Sequence, residues 1–291
     1  VVAGDQETFA NMHKAKDKYP EKYHWVLPWV GDWHLLEHTL DVMFRKWGGF
    51  GLYHLARASG CYDKKLEAKS YHKRHFVFVG ILEAVWKACA SEVAQGVDGI
   101  DKVSLTQYVN ATERKCWFQQ SWSCGPQSAA AGGEAATPSD GERLLNTLRS
   151  YLSDGLIHKT FGCWVDLLLR DGMAYLGLYI GIRVGDFDLR EAAIRTIAPL
   201  FLGYNKNLYH DLCITHLADI ARLSENERAF VIDVCSLSLK GNIGKNLGMD
   251  EIQETTFNLS LKTNATRIDF DYLSRLSVTL QVKAEAAAMF E

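Results

Sequence analysis

Tyr23-His24-Trp25-Val26-Leu27-Pro28-Trp29-Val30, followed directly by Gly31-Asp32-Trp33-His34-Leu35-Leu36-Glu37-His38, is the stretch that decides the fold class. The first eight residues are aromatic and β-branched and read as a strand, with Pro28 favouring an edge or a strand end. Gly31-Asp32 then opens a helix over 33–47, for which Asp32 is the expected N-cap. Working back from there, Val1 to Ala3 reads as the end of a strand and Gly4-Asp5 as a turn. Residues 6–18 form a helix with Phe9, Met12 and Ala15 on one face, ended by Pro20. Strand–helix–strand–helix at this spacing predicts an α/β unit.

Beyond Trp47 the pattern changes. Residues 52–58, 64–93, 104–122, 144–152, 161–182, 189–201 and 207–223 carry helical periodicity, with Asp188 expected to cap the helix that starts at Leu189. Gly125 to Gly141 is small and polar and reads as a flexible linker. Val231 to Leu239 returns to β-like residues, a turn with Gly241, Gly244 and Gly248 follows, and an amphipathic helix is expected over 250–262. The expected fold is therefore mainly α with a small α/β seam. Residues 1–50 are its N-terminal part, 51–228 a helical insertion, and 229–291 a C-terminal strand and helices that complete the core.

Composition narrows the function classes. The chain has 291 residues, 47% hydrophobic and 23% charged, with a net charge of −3, so any nucleic-acid contact has to be a local patch. The seven cysteines (Cys61, Cys89, Cys116, Cys124, Cys163, Cys213, Cys235) form no CxxC pair and read as small buried thiols in a reducing compartment. No apolar run reaches membrane-spanning length. The longest, from Trp164 to Ile182, is broken by Asp166, Arg170 and Asp171. The opening Val1-Val2-Ala3-Gly4-Asp5 has neither an initiator Met nor a basic n-region, and the chain reads as a fragment whose first strand is already under way.

Three places offer chemistry. Asp5 stands at the carboxyl end of a strand, where open α/β sheets present ligand and metal groups, although a plain turn or N-cap role also explains it. His34 and His38 share a helix face, with Asp41 about one turn beyond, a face that suggests zinc but lacks the Glu of HExxH. Glu251 and Glu254 lie near the start of a helix after a Gly-rich loop, where capping alone accounts for carboxylates. Basic residues gather at Lys64, Lys65, Lys69, His72, Lys73, Arg74 and His75, on what reads first as a solvated helix face and second as a phosphate contact. Walker, GxGxxG, GxSxG and kinase motifs are absent from the sequence.

Taken together, Gly4-Asp5-Gln6, Gly31-Asp32-Trp33-His34, Tyr179-Ile180-Gly181-Ile182-Arg183-Val184-Gly185-Asp186, Ala198-Pro199-Leu200-Phe201 and Asp250-Glu251-Ile252-Gln253-Glu254 resemble an uncharacterised, transposon-associated domain family of invertebrate and fungal genomes. More remotely the chain is similar to ribonuclease-H-like transposases of the Mutator and hobo/Activator types. The resemblance implies a partial, truncated ribonuclease-H-like core, a DNA partner and a nuclear location. It makes Asp5 the second catalytic carboxylate, His34 the motif histidine, and Glu254 or Glu251 the third carboxylate. Such a triad holds two Mg²⁺ ions about 3.5–4 Å apart and activates water or a 3′-hydroxyl. Two departures stand out: Asp32 lies two residues before His34 instead of three, and the first catalytic Asp would lie upstream of Val1. The chain alone is therefore expected to be inactive. The alternative is a domesticated or decayed helical interaction domain without chemistry.

Overall fold

The computed structural model describes residues 1–58, 71–95, 140–155, 159–238, 241–242 and 244–258. The expected helix over 104–122, residues 125–139 of the linker, and Lys64, Lys65 and Lys69 lie outside them. The described residues are mainly helical, with four short strands.

The opening α/β unit forms as read, with shorter strands. β1 (Val2–Gly4) pairs in parallel with β2 (Pro28–Val30), Gly4 opposite Val30. Between them run α1 (Gln6–Lys18) and one helical turn, α2 (Pro20–Tyr23), which starts at Pro20 because proline suits the first turn of a helix and takes Tyr23 from the expected strand, of which only Pro28–Val30 pairs. α3 (Asp32–Trp47) follows β2 directly and buries Leu35, Leu36, Leu40, Met43, Phe44 and Trp47 along one side. Each such side chain, fully buried, contributes about 1.5–3 kcal/mol.

That side is covered by helices of the expected insertion. α4 (Leu52–Ala58), α5 (Tyr71–Gln95), α6 (Asp140–Gly155) and α7 (Lys159–Asp166) lead into a π-helical stretch, Leu167–Gly172, and then α8 (Met173–Val184). The wider π turn sets Asp171 facing inward. Its buried carboxylate accepts from the Trp47 indole at 2.8 Å and from Lys46 at 2.7 Å. α8 ends where Gly185 takes φ +73°, a conformation that favours glycine, and Asp186 turns the chain into α9 (Phe187–Gly203). Asp186, not the expected Asp188, is the N-cap, because it is the side chain in reach of the Leu189 amide at 2.9 Å. α10 (Asn207–Ala221) packs back on α9.

The C-terminal part departs from expectation. Residues 231–234 belong to a helix, α11 (Glu225–Val234), started by a capping box between Ser224 and Glu227 that overrides their β propensity. Among the described residues of the expected strand only Ser236–Leu237 (β3) is extended, and it pairs antiparallel with Leu247–Gly248 (β4) as a separate ribbon, not as a third strand of the β1–β2 sheet. The closing helix begins at α12 (Met249–Ile252) and widens to π geometry over Gln253–Asn258. Among the described residues no helix is long and apolar enough to cross a membrane.

Candidate functional site at the ends of the paired strands

β1 and β2 both run toward the same edge, so Asp5 and the first turn of α3 are neighbours. Gly31 donates its N–H to the Gly4 carbonyl at 2.8 Å, which fixes the two strand ends together. Asp5 caps α1: its Oδ1 accepts the Thr8 amide at 2.9 Å, and that bond above all holds its carboxyl below the ordinary range.

The N-terminus of α3 is capped from far away. Gly31 has no side chain to do it, and Asp32 points elsewhere. Asp250, the second residue of α12, supplies the carboxylate instead. Its Oδ2 accepts from the Trp33 amide at 3.0 Å, the His34 amide at 3.2 Å and His34 Nδ1 at 3.0 Å, and its Oδ1 lies 3.2 Å from the Trp33 amide. An anion at the positive end of a helix is favourable, and here it closes the chain across 217 residues. Gly31 makes the approach possible, since a Cβ there would sit 2.5 Å from Asp250 Oδ2 and 2.7 Å from the Gly4 carbonyl.

His34 is half-buried with Nδ1 committed to Asp250. Burial disfavours its charge, yet the Asp250 bond and the charges of Asp250, Asp5 and Glu37 together raise its pKa above the usual value. Tyr209, stacked on His38 with ring centroids 3.9 Å apart, is pushed upward by burial and then by Asp5, Glu37 and Asp250. The strand-end edge is therefore an acidic site around one histidine.

Behind it lies a buried polar knot. Asp32 and Arg190 are each 1% exposed; Arg190 Nε donates to Asp32 Oδ1 at 2.7 Å, and Nη2 stands 2.6 Å from the same oxygen. The guanidinium also lies over the Trp29 ring, 4.5 Å from its centroid, and 3.0 Å from His216 Nε2. Burial, and next the Asp250 charge, lift Asp32 to about 6 against the pull of Arg190. Asp32 Oδ2 has no hydrogen-bond partner. His216 is fully buried and driven well below its usual pKa by burial and by Arg190, so it is neutral.

The other expected site residues are placed as follows. Glu251 is buried and bound to Arg183 at 2.7 Å. Glu254 lies half-buried on the π-helical stretch after α12. The zinc face dissolves: Asp41 is bound by Lys206, Arg45 and Arg74, and His38 Nδ1 lies 2.8 Å from Lys206 Nζ. Cys89, Cys213 and Cys235 are buried and Cys163 is half-buried.

Several of the carboxylates at this edge, which the resemblance would give to a Mg²⁺ pair, are already engaged. Both Asp250 oxygens are spent on the α3 N-terminus, Glu251 is neutralised by Arg183, and Asp5 has one oxygen in its own cap. Among the described residues no three His, Cys, Asp or Glu side chains are placed to hold a metal ion. Asp250, Arg190 and His216 were not legible as site groups: a remote cap and a buried charge pair leave no spacing signal in sequence. Comparison of the chain with protein-family models, with curated proteins and with solved structures returned no match.

Proposed function

We propose that the chain is a transposase-derived, DNA-binding domain related to ribonuclease-H-like nuclease cores, and that by itself it binds DNA without cutting it. The observation that carries this reading is the meeting of Asp5, His34 and Asp250 at the carboxyl ends of two parallel strands, with Asp250 arriving from 217 residues away. A seam closed in this way across a long helical stretch fits a core with an inserted helical domain. Asp5 is the acid presented at the strand end, His34 is held in one orientation by Asp250, and Asp250, in place of Glu254 or Glu251, is the carboxylate that the closing helix delivers. The capped state of Asp250 supports the silent half of the proposal, since both of its oxygens are engaged at the α3 N-terminus.

The test is direct. Purified chain is titrated against labelled duplex DNA and then incubated with supercoiled plasmid and Mg²⁺ or Mn²⁺. Binding without strand breaks is expected. Metal-dependent cleavage abolished by Asp5→Ala would overturn the silent half, and absence of binding would overturn the DNA half. In that last case the helical interaction domain is the better reading, and the exposed Leu208, Phe230 and Ile232 of α10 and α11 favour it.

A further inference from the structure

His34, His38, Asp41 and Arg45 recur every three or four residues and so follow one strip along α3. Its strand end is acidic, with Asp5, Glu37 and Asp250 all acting on His34. Further along, the balance reverses. The Asp41 carboxylate is shared by three cations from three elements: Lys206, between α9 and α10, at 2.8 Å; Arg45 of α3 at 3.2 Å; and Arg74 of α5 at 3.4 Å. Burial pushes the Asp41 carboxyl up most, yet the three cations together, Lys206 foremost among them, hold it below its usual range. Lys206 also reaches His38. One carboxylate cannot neutralise both Lys206 and Arg45. Glu37, the next acid along the strip, acts on His34 and on Tyr209, the ring stacked on His38. Arg45 is 57% exposed, whereas Lys206 and Arg74 are 15% and 11% exposed and form a fixed floor behind it.

We propose that Arg45, Arg74 and Lys206 form a phosphodiester contact for a nucleic-acid strand laid along α3 toward Asp5 and His34. Guanidinium forks and an ammonium point charge are the donors that phosphate oxygens select. From His34 to Arg45 the helix advances about 16 Å, which matches the rise of four or five phosphates of one strand. The strip thus offers backbone grip at one end and the acidic strand-end site at the other. The inference rests on the DNA-binding reading given above and names where that binding occurs.

The experiment measures fluorescence anisotropy of single-stranded and duplex DNA of about 30 residues, from about 50 to 200 mM salt. Wild type is compared with Arg45→Gln, with Lys206→Gln, and with Lys87→Gln as a control, an exposed lysine of α5 paired with Glu83. Arg45→Gln is expected to weaken binding about three- to tenfold and to lower the slope of log K against log salt by about one, with Lys87→Gln unchanged. Arg45 is exposed, so this variant folds, and thermal melting checks Lys206→Gln. Binding by wild type with an unchanged slope in both variants overturns this inference and leaves the DNA reading standing. No binding by wild type overturns both. Loss of binding to phosphatidylserine vesicles in Arg45→Gln, with DNA binding intact, assigns the cluster to a lipid surface and also overturns it.

Discussion

Asp32 and Arg190 meet 2.6 Å apart with each side chain only 1% exposed, so the first turn of α3 and the first half of α9 are joined by a charge pair shut away from water. Desolvating two ions costs several kcal/mol, and their attraction returns that only when both are present and well oriented. The Trp29 ring under the guanidinium and His216 beside it supply that orientation.

Arg190→Met strands Asp32 in the interior and is expected to cost about 3–5 kcal/mol in urea unfolding, with Asp32→Asn in the same chain recovering part of the loss. A midpoint for Arg190→Met within about 0.5 kcal/mol of wild type would show that the pair does not join these elements.

Asp250→Asn removes the charge that caps α3. A loss of about 1–2 kcal/mol is expected, together with a fall of the His34 pKa that NMR titration of the ring protons would report. An unmoved His34 titration would mean that the Asp250 bond does not exist in solution.

Gly31→Ala drives a methyl group into Asp250 Oδ2 and the Gly4 carbonyl and should separate the closing helix from the seam. The same change at Gly203, where nothing lies within 4 Å, should be neutral or stabilising by up to about 1 kcal/mol. Equal melting temperatures for the two variants would contradict the close approach at Gly31.

The pH dependence has a definite sign. His75 is lowered to about 4 by burial and then by Arg183, and His216 lies well below its usual value. The unfolded chain therefore binds more protons than the native one as pH falls below about 6.5, so their contribution is present above that pH and is lost toward pH 4. Asp32, raised to about 6, works the other way over its own window from about 4 to 6, where the native state holds the extra proton. His75→Gln should flatten the loss of stability between about pH 6.5 and 4. An equally steep curve in the variant would exclude His75 as a source.

The α/β opening, the helical middle and the position of Asp5 and His34 at the strand–helix junctions were legible because they are local: periodicity, a Pro, a strand end. The β-rich reading of Val231 to Leu239 failed because Ser224 and Glu227 start a helix that runs through Val234. Asp32 looked like the cap of its own helix, yet its side chain is drawn to Arg190, 158 residues on, and the cap comes from Asp250. Both partners are set by tertiary packing. Neither leaves a pattern within any window of the chain.

The remote cap also has a cost in time. Ribosomes add roughly 5–20 residues each second, so α3 emerges some ten to forty seconds before Asp250 exists to accept its first amides. During that interval the Trp33 and His34 N–H groups have only water to bind, and the β1–β2 pair has no closing helix. The nascent protein thus passes through a stage in which β1 and β2 wait for a residue made more than two hundred positions later. A chaperone or a ribosome-bound neighbour that recognises exposed strand ends would find its target in that interval, and no longer afterwards.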